Sequence, residues 1–148
     1  MDIEQLRSEI EADEGNVPEI YLDHLKLPTL GIGHLIKKTD PEYGMPIGTP
    51  VSRKRINSCF DSDIQGTIED CENLYKGFYK LPEEVKLILC NMMYNLGYTR
   101  LSKFSKLKKA VNENNWEEAS VQMHQSKWRT QVPNRAERLI NRMKAVGA

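Results

Sequence analysis

Apolar positions near the start of the chain recur with a helical period. Between residues 2 and 12, an apolar side chain returns every three or four positions, which predicts an amphipathic helix. Gly15 is expected to end this helix directly after Glu14, since glycine readily adopts the left-handed conformation found beyond helix ends. The helix should therefore present Glu14 at the end of a rigid element. Its apolar positions are Ile3, Leu6 and Ile10.

Residues 17–35 change to the alternation that is typical of β-strands. A short strand over residues 20–22 is expected to end at Asp23, and a turn to follow over residues 24–28. A second strand is predicted from Thr29 to Gly33. Its two glycines could suggest a phosphate loop, but the full dinucleotide fingerprint is absent, so we expect them to permit close backbone packing.

The rest of the chain is predicted to be helical. After a loop rich in proline and glycine at residues 37–50, a long helix should run from about Arg53 to Tyr75, with Ser52 as a favourable N-cap. The segment from Val85 to Leu96 is apolar on nearly all sides, which predicts a buried central helix. Further helices are predicted over residues 102–112, 116–127 and 134–145.

This order of elements indicates an α+β fold that is mostly α. A small N-terminal lobe carries the hairpin or sheet, and a helical lobe follows it. We expect one domain over residues 1–148. Its predicted parts are a lobe at about 13–60, a lobe at about 75–148 that includes the first helix, and a bridging helix at 53–75.

Composition narrows the class of protein. With 148 residues, 39% hydrophobic and 28% charged, the chain can bury a sizeable core and is typical of a globular protein. No apolar run approaches the roughly 20 residues that span a bilayer, and the acidic N-terminus does not resemble a secretory signal. Three cysteines without metal-type spacing are expected to be free thiols: Cys59, Cys71 and Cys90.

The net charge is zero, but its distribution is uneven. Residues 1–98 carry 10 basic and 17 acidic side chains, whereas residues 99–148 carry 11 and 4. The two parts could attract each other and stabilise the fold, or the basic part could face an anionic polymer. The two interpretations are compatible with each other. No nucleic-acid recognition motif accompanies the basic part.

Candidate chemistry is concentrated in residues 13–34, which read DEGNVPEIYLDHLKLPTLGIGH. Glu14 and Asp23 are too far apart in sequence to share a helical turn, so they can meet only if the chain folds back between them. A carboxyl group at a helix end that faces another on a hairpin is the arrangement that acid/base cleavage of a glycosidic bond requires. One group protonates the leaving oxygen and the other handles a water molecule.

This segment resembles the catalytic signature of the phage-type lysozymes, the T-even endolysin family (glycoside hydrolase family 24). Two further blocks are similar to the family's central helix and C-terminal signature. The first reads NMMYNLG from Asn91 to Gly97, and the second reads SKWRTQVPNRA from Ser126 to Ala136. Three blocks in the family's order extend over nearly the whole chain.

The resemblance implies a role for three residues. Glu14 would be the general acid, while Asp23 and Thr29 would hold the hydrolytic water on the opposite face of the sugar. The reaction implied is inverting hydrolysis of the β-1,4 bond between N-acetylmuramic acid and N-acetylglucosamine in peptidoglycan.

Other positions match family residues around the saccharide. Leu35, Tyr94 and Gln122 are expected to contact the glycan; family members often carry Phe and Asn at the last two positions. His34 and Asp63 occupy the positions of a structural ion pair.

The resemblance also implies that Asp13 and Glu14 pair with Arg135 and Arg138. The pair Asp13–Arg138 could serve only to join the first helix to the helical lobe. The arginines could also hold Glu14 in position.

Two other classes of protein remain open. A lytic transglycosylase needs the acid but no water, and a tail or baseplate module could bind peptidoglycan without turnover. Asp23 and Thr29 argue against the transglycosylase. The presence of all three implied catalytic residues, Glu14, Asp23 and Thr29, argues against the binding module. We expect no cofactor, no metal, no nucleic acid and no stable membrane association. The enzyme is expected to be a monomer that stays in the host cytoplasm until a separate pore releases it to the wall.

Overall fold

Helices form most of the structure, and three short strands follow the first helix. The computed structural model describes all 148 residues. The first part of the chain contains α1 (Ile3–Glu14), β1 (Val17–Leu22), β2 (Pro28–Gly31), β3 (His34–Leu35) and α2 (Arg53–Leu74). A 3₁₀ turn at Phe78–Lys80 precedes α3 (Glu83–Leu96), α4 (Tyr98–Leu101), α5 (Ser105–Asn112), α6 (Trp116–His124), α7 (Lys127–Gln131) and α8 (Pro133–Val146). The α+β, mostly helical fold predicted from the sequence is confirmed.

The chain divides into two compact units. One comprises residues 7–66 and contains the sheet, and the other comprises residues 1–6 with residues 67–148. We call them the sheet unit and the helical unit. The long helix α2 begins in the sheet unit and ends in the helical unit. No helix combines the length and apolar composition needed to cross a membrane.

The sheet is antiparallel, with β2 in the middle. Tyr21 of β1 pairs with Thr29 of β2, and Thr29 pairs on its other side with Leu35 of β3. The prediction of one strand from Thr29 to Gly33 is wrong at its end. Gly31 and Gly33 both have positive φ, at 57° and 67°, and this left-handed backbone turns the chain back into β3.

One face of α2 packs against the rest of the sheet unit through Ile56, Phe60 and Ile64. Phe60 is 2% exposed, and the guanidinium of Arg7 lies 4.6 Å from the centre of its ring while pairing with the carboxylate of Asp61. Gly31 lies so close to α2 that a Cβ there would stand 2.7 Å from Ile56. The close backbone packing expected of this glycine is confirmed. Further apolar side chains buried here are Ile10, Ile20 and Leu30.

A chain of charged groups connects β3, the loop at residues 37–50 and α2. The imidazole of His34 lies between two carboxylates, with Nδ1 at 2.7 Å from Asp63 and Nε2 at 2.9 Å from Asp40. Arg55 of α2 continues the chain by donating to Asp40 at 3.1 Å and to both oxygens of Glu42 at 2.9 and 3.0 Å. The composition of this loop does not indicate that it supplies carboxylates to a partly buried network.

These contacts shift the titration of the groups involved. The hydrogen bond that His34 donates to Asp63 raises the pKa of His34, although burial opposes it, and the bond to Asp40 adds to the rise. Burial alone would raise the pKa of Asp40, but the Lys37 N–H, His34 and Arg55 bring it below its ordinary value. Arg55 lowers the pKa of Glu42. The network is therefore strongest where His34 is protonated and the carboxyls are ionised.

The helical unit is built around α3. Val85, Ile88, Leu89 and Met92 on this helix are fully buried, as expected for a central helix. Its polar side chains bind other helices: Asn95 Oδ1 accepts from the Trp128 indole at 2.8 Å, and Asn91 Oδ1 accepts from Arg135 Nε at 2.7 Å. The three cysteines are buried free thiols.

Two helix boundaries of the helical unit differ from the sequence prediction. The predicted helix at 116–127 ends at His124, because Ser126 caps a separate helix, α7, by accepting from Arg129 N–H. The predicted helix at 102–112 begins at Ser105, since residues 98–101 form the short helix α4.

Replacing His34 with Asn should destabilise the protein most in mildly acidic solution. A raised pKa means that the folded state holds the proton more tightly, so this stabilisation is full below about pH 6.5 and is lost as the pH rises through the folded pKa. We expect a loss of about 2 kcal/mol at pH 5.5 and a smaller loss at pH 9, measured by urea unfolding.

The exposed His24, changed to Asn, is the matched control and should alter neither value. An equal loss at both pH values for the His34 variant would contradict a role for its charge.

Candidate active site

Glu14 is the last residue of α1. The Gly15 N–H donates to the Glu11 carbonyl at 2.8 Å, and Gly15 then leaves the helix with φ at 78°. The predicted end of the helix is thus confirmed, and its physical cause is the left-handed glycine. Glu14 is half-buried at this point.

The Glu14 carboxyl lies against the turn between β2 and β3. A Cβ added to Gly33 would stand 2.7 Å from Glu14 Oε1, closer than a real Cβ contact allows. A larger residue would have to displace the Glu14 carboxyl, and the positive φ also favours glycine here. The close approach expected at this glycine is confirmed, and it brings the helix end and the TLGIGH segment together.

Asp23 is fixed by the hairpin turn that it begins. Its Oδ1 accepts from the N–H groups of Leu25 and Leu27 at 2.8 and 2.9 Å, an Asx-type arrangement that stabilises the turn. Lys26 occupies the left-handed position of this turn with φ at 62°, at a strain of about 1 kcal/mol for a residue with a Cβ. The turn therefore forms without the glycine usual at such a position.

Thr29 lies in the central strand directly after this turn, and it is only 1% exposed. Its hydroxyl donates to the Leu27 carbonyl at 2.8 Å. The same residue, Leu27, thus donates its N–H to Asp23 and accepts from Thr29. The two side chains are linked through one peptide segment of the turn.

The negative charges of both candidate carboxyls act on Tyr21, a residue that the sequence did not single out. Burial raises its pKa, and the negative charges of Glu14 and Asp23 raise it further, while a hydrogen bond from the Gly33 backbone lowers it. A signal was available: in a strand, residues two apart lie on one face, so the alternation places Tyr21 beside Asp23.

Glu14, Asp23 and Thr29 therefore all belong to the sheet unit, the first two near one tyrosine and the last two joined through Leu27. The model of the phage lysozyme family matches residues 11–145, which include this whole arrangement. The chain belongs to the phage lysozyme family.

Individual relatives agree with this membership. The chain is 30% identical to "Probable T4-type lysozyme 2" of Dictyostelium discoideum, over 94% of this chain and 93% of that protein. It is 27% identical to "Probable T4-type lysozyme 1" of the same organism, with the same coverage. A lysozyme of the T4 type is a peptidoglycan-hydrolysing enzyme, so family membership identifies this chain as an enzyme of that class.

A third relative has a different printed description. The chain is 26% identical to the "Pre-baseplate central spike protein Gp5" of Enterobacteria phage T4. The match covers 86% of this chain but only 25% of the spike protein. Phage lysozyme domains thus also occur as one part of a longer protein.

The expected glycan contacts lie in both units. Leu35 is 47% exposed on β3, and Tyr94 is half-buried in the last turn of α3. Gln122 on α6 donates to Glu118 at 2.7 Å. It also lines a hollow of about 400 Å³ in the helical unit, whose basic lining residues are Lys103, Lys106 and Lys127.

The arginines expected near the acid also have partners in their own unit. Arg135 is buried, and it donates to the side chain and the backbone carbonyl of Asn91 at 2.7 and 3.3 Å. Pairing of Asp13 and Glu14 with Arg135 and Arg138 would connect the two units and stays a prediction. No group of three or more His, Cys, Asp or Glu side chains is arranged to hold a metal ion.

Replacing Gly33 with Ala should reduce activity more than it reduces stability. The new methyl group would displace the Glu14 carboxyl, and a displacement of about 1 Å at a reacting group can lower kcat by roughly 10²-fold. The expected result is a loss of kcat of about 10- to 100-fold on soluble peptidoglycan chains.

Gly77 provides a matched control, because its φ is also 67° but nothing lies within 4 Å of its Cβ position. Gly77→Ala should show a similar loss of stability, about 1 kcal/mol, with kcat nearly unchanged. Equal kcat in the two variants would show that contact with Glu14 does not matter.

Proposed function

We infer that this lysozyme hydrolyses the β-1,4 bond between N-acetylmuramic acid and N-acetylglucosamine with inversion at the anomeric carbon. Glu14 acts as the general acid, and Asp23 and Thr29 hold the attacking water. Cell lysis is the biological role that we propose, with the enzyme passing from the host cytoplasm to the wall through a separate pore.

Glu14 is suited to donate a proton to the glycosidic oxygen. An alkoxide leaves poorly from a sugar, so a carboxylic acid must protonate the oxygen as the bond breaks. The end of α1 and the Gly33 backbone confine the Glu14 carboxyl on two sides. Confinement of this kind keeps an acid in one orientation relative to its substrate.

The hydrogen bonds of Leu27 are the observation that carries the proposal. Asp23 Oδ1 is occupied by two backbone N–H groups, which leaves Oδ2 to accept from a further donor. The Thr29 hydroxyl has already given its proton to the Leu27 carbonyl, so it too can only accept. A water molecule between two acceptors directs both protons toward them and its lone pair away, as a nucleophile requires.

The basic hollow beside Gln122 is compatible with the same substrate. Its three lysines lie in a unit that also contains the basic C-terminal part of the sequence. Peptidoglycan carries carboxylates on its peptide stems, so a basic surface would attract the polymer over the Debye length of roughly 8–10 Å.

Two other functions compete with the proposed hydrolysis. A lytic transglycosylase would have no use for the paired acceptors on Asp23 and Thr29. A peptidoglycan-binding module without turnover is the second alternative, and a segment similar to this chain makes up a quarter of a longer baseplate spike protein.

Analysis of the products separates these three functions. Digested peptidoglycan examined by mass spectrometry should contain reducing muramic ends; anhydro ends would indicate a transglycosylase, and no products a binding module. Proton NMR of the first product should show the inverted anomer. A first product of retained configuration would refute the inverting mechanism.

Replacing Glu14 with Gln should nearly abolish hydrolysis, by at least about 10³-fold, while binding to insoluble peptidoglycan persists. The amide keeps the shape of the side chain but cannot protonate the leaving oxygen. Glu11→Gln, one turn earlier on the exposed face of α1, is the matched control and should stay fully active. Full activity of Glu14→Gln would refute the site itself.

Replacing Thr29 with Val should lower kcat by about 10²-fold, whereas Thr29→Ser should stay within roughly tenfold of wild type. Valine has the same shape but lacks the acceptor oxygen; the Leu27 carbonyl loses the hydroxyl donor and keeps the Asp23 N–H at 3.0 Å. Kinetics are measured well below each variant's melting temperature. Equal kcat for Ser and Val would mean that the hydroxyl does not hold the water.

A further inference from the structure

Exposed apolar side chains are concentrated in one part of the sheet unit. Twelve large hydrophobic side chains of the protein are exposed, and seven of them lie between residues 22 and 47. Apolar side chains scattered singly over a surface are ordinary, but a cluster of them marks a site of interaction. The seven, each 43–55% exposed, are Leu22, Leu25, Leu27, Leu35, Tyr43, Met45 and Ile47.

Backbone pairing gathers several of these side chains at the hairpin end of the sheet. Leu22 pairs with Pro28 at the base of the hairpin turn. On the other side of Pro28, the Ile36 N–H donates to the Pro28 carbonyl at 3.0 Å, so Lys37 and Lys38 follow beside the same turn. The turn lies fully at the surface, since all five residues from 24 to 28 are exposed.

The loop at residues 37–50 adds Ile47 to this end of the sheet. The Gly48 N–H donates to the Ile20 carbonyl at 2.7 Å, and the Ile20 N–H donates to the Thr49 carbonyl at 2.9 Å. The loop runs antiparallel to β1 at this point. Ile47, the residue before Gly48, therefore lies toward the Leu22 end of that strand.

The exposed lysines at this end of the sheet give it a positive charge. Between residues 24 and 48 the acidic side chains are Asp40 and Glu42, and Arg55 donates to both. The three lysines of the same segment are all exposed. We call the whole set the hairpin patch, and its members are Leu22, Leu25, Leu27, Ile47, Lys26, Lys37 and Lys38.

The composition of the hairpin patch distinguishes between classes of partner. Protein–protein interfaces are enriched in aromatic side chains and arginine and depleted in lysine, whereas this patch combines aliphatic side chains with lysines. A glycan presents hydroxyl and amide groups, to which aliphatic side chains cannot hydrogen-bond. An anionic lipid surface matches both components, because it has an apolar interior beneath negatively charged headgroups.

We propose that the hairpin patch is a docking surface for an anionic lipid bilayer. The aliphatic side chains of the turn and of Ile47 enter the headgroup region, and the lysine amines contact the lipid phosphates while their apolar stems lie along the same surface. The association is reversible, because four aliphatic side chains bury far less apolar surface than a membrane-spanning helix.

Flotation with lipid vesicles measures this association. Wild-type protein should bind vesicles of equal parts phosphatidylglycerol and phosphatidylcholine at least about tenfold more tightly than vesicles of phosphatidylcholine alone. High salt should reduce the difference, since it screens the lysines from the lipid phosphates.

Two double variants separate the charged and apolar parts of the patch. Lys37→Gln/Lys38→Gln and Leu25→Ser/Ile47→Ser should each weaken binding to the anionic vesicles by about fivefold or more. All four side chains are exposed, so the melting temperatures should stay within about 3 °C of wild type.

The helical unit supplies matched controls for both variants. Lys109→Gln/Lys144→Gln removes two exposed charges, and Tyr79→Ser/Val121→Ser removes two exposed apolar side chains. Both controls should bind the anionic vesicles within about twofold of wild type, because neither changes the patch.

An environment-sensitive label tests entry into the lipid without removing any lysine. The three native cysteines are buried, so Leu25→Cys provides an exposed thiol for an NBD fluorophore. Its fluorescence should rise at least about twofold and shift to the blue on addition of anionic vesicles, whereas the same label on Tyr79→Cys should not respond.

Several results would overturn the proposal. They are equal binding of wild type to both kinds of vesicle, binding to neither, wild-type binding by the two patch variants, or a label at residue 25 that does not respond. If the patch variants instead lose binding to purified peptidoglycan or lose a dimer seen by analytical ultracentrifugation, with vesicle binding intact, the patch serves those partners and not a bilayer. Docking requires no turnover, so Glu14→Gln should bind the anionic vesicles as wild type does.

Discussion

The candidate site depends on one close approach, the backbone of Gly33 against the carboxyl of Glu14. A Cβ at this position would stand 2.7 Å from Glu14 Oε1, so a residue other than glycine would displace the carboxyl. The contact fixes the end of α1 relative to the β2–β3 turn. It also explains why that turn needs a left-handed residue where it passes the helix, since only glycine meets both demands at low cost.

The residue after Gly33 keeps this turn in place. His34 is held on both sides by carboxylates, one from α2 and one from the loop at residues 37–50, and Arg55 ties that loop back to α2. A buried charge of either sign alone would be costly, but here positive and negative groups alternate along the network. The precision of the Gly33 contact is thus supplied by electrostatics one residue away.

Much of this arrangement could be predicted from the sequence, because local physics determines it. The helical period and Gly15 placed Glu14 at a helix end, and the strand ending before Asp23 agrees with the structure. The predicted second strand is too long, because its two glycines form a turn as well as sites of close packing. The composition of the loop does not predict the roles of Asp40 and Glu42, since their partners His34 and Arg55 lie outside the loop.

The hydrogen-bond directions in the hairpin limit what Asp23 and Thr29 can do in catalysis. Asp23 accepts from the Leu27 N–H, and Thr29 donates to the Leu27 carbonyl. Each side chain can therefore only accept further hydrogen bonds. Neither can protonate a leaving group while it holds a water molecule by accepting from it.

The two groups that can carry a proton are Glu14, as a carboxylic acid, and Tyr21, whose pKa is raised. A phenol whose pKa lies above 10 is too weak an acid to protonate a glycosidic oxygen at neutral pH, because efficient general acids have a pKa near the operating pH. In the proposed mechanism the proton donor is therefore Glu14, while Thr29, whose hydroxyl donates to the Leu27 carbonyl, can only accept from the water.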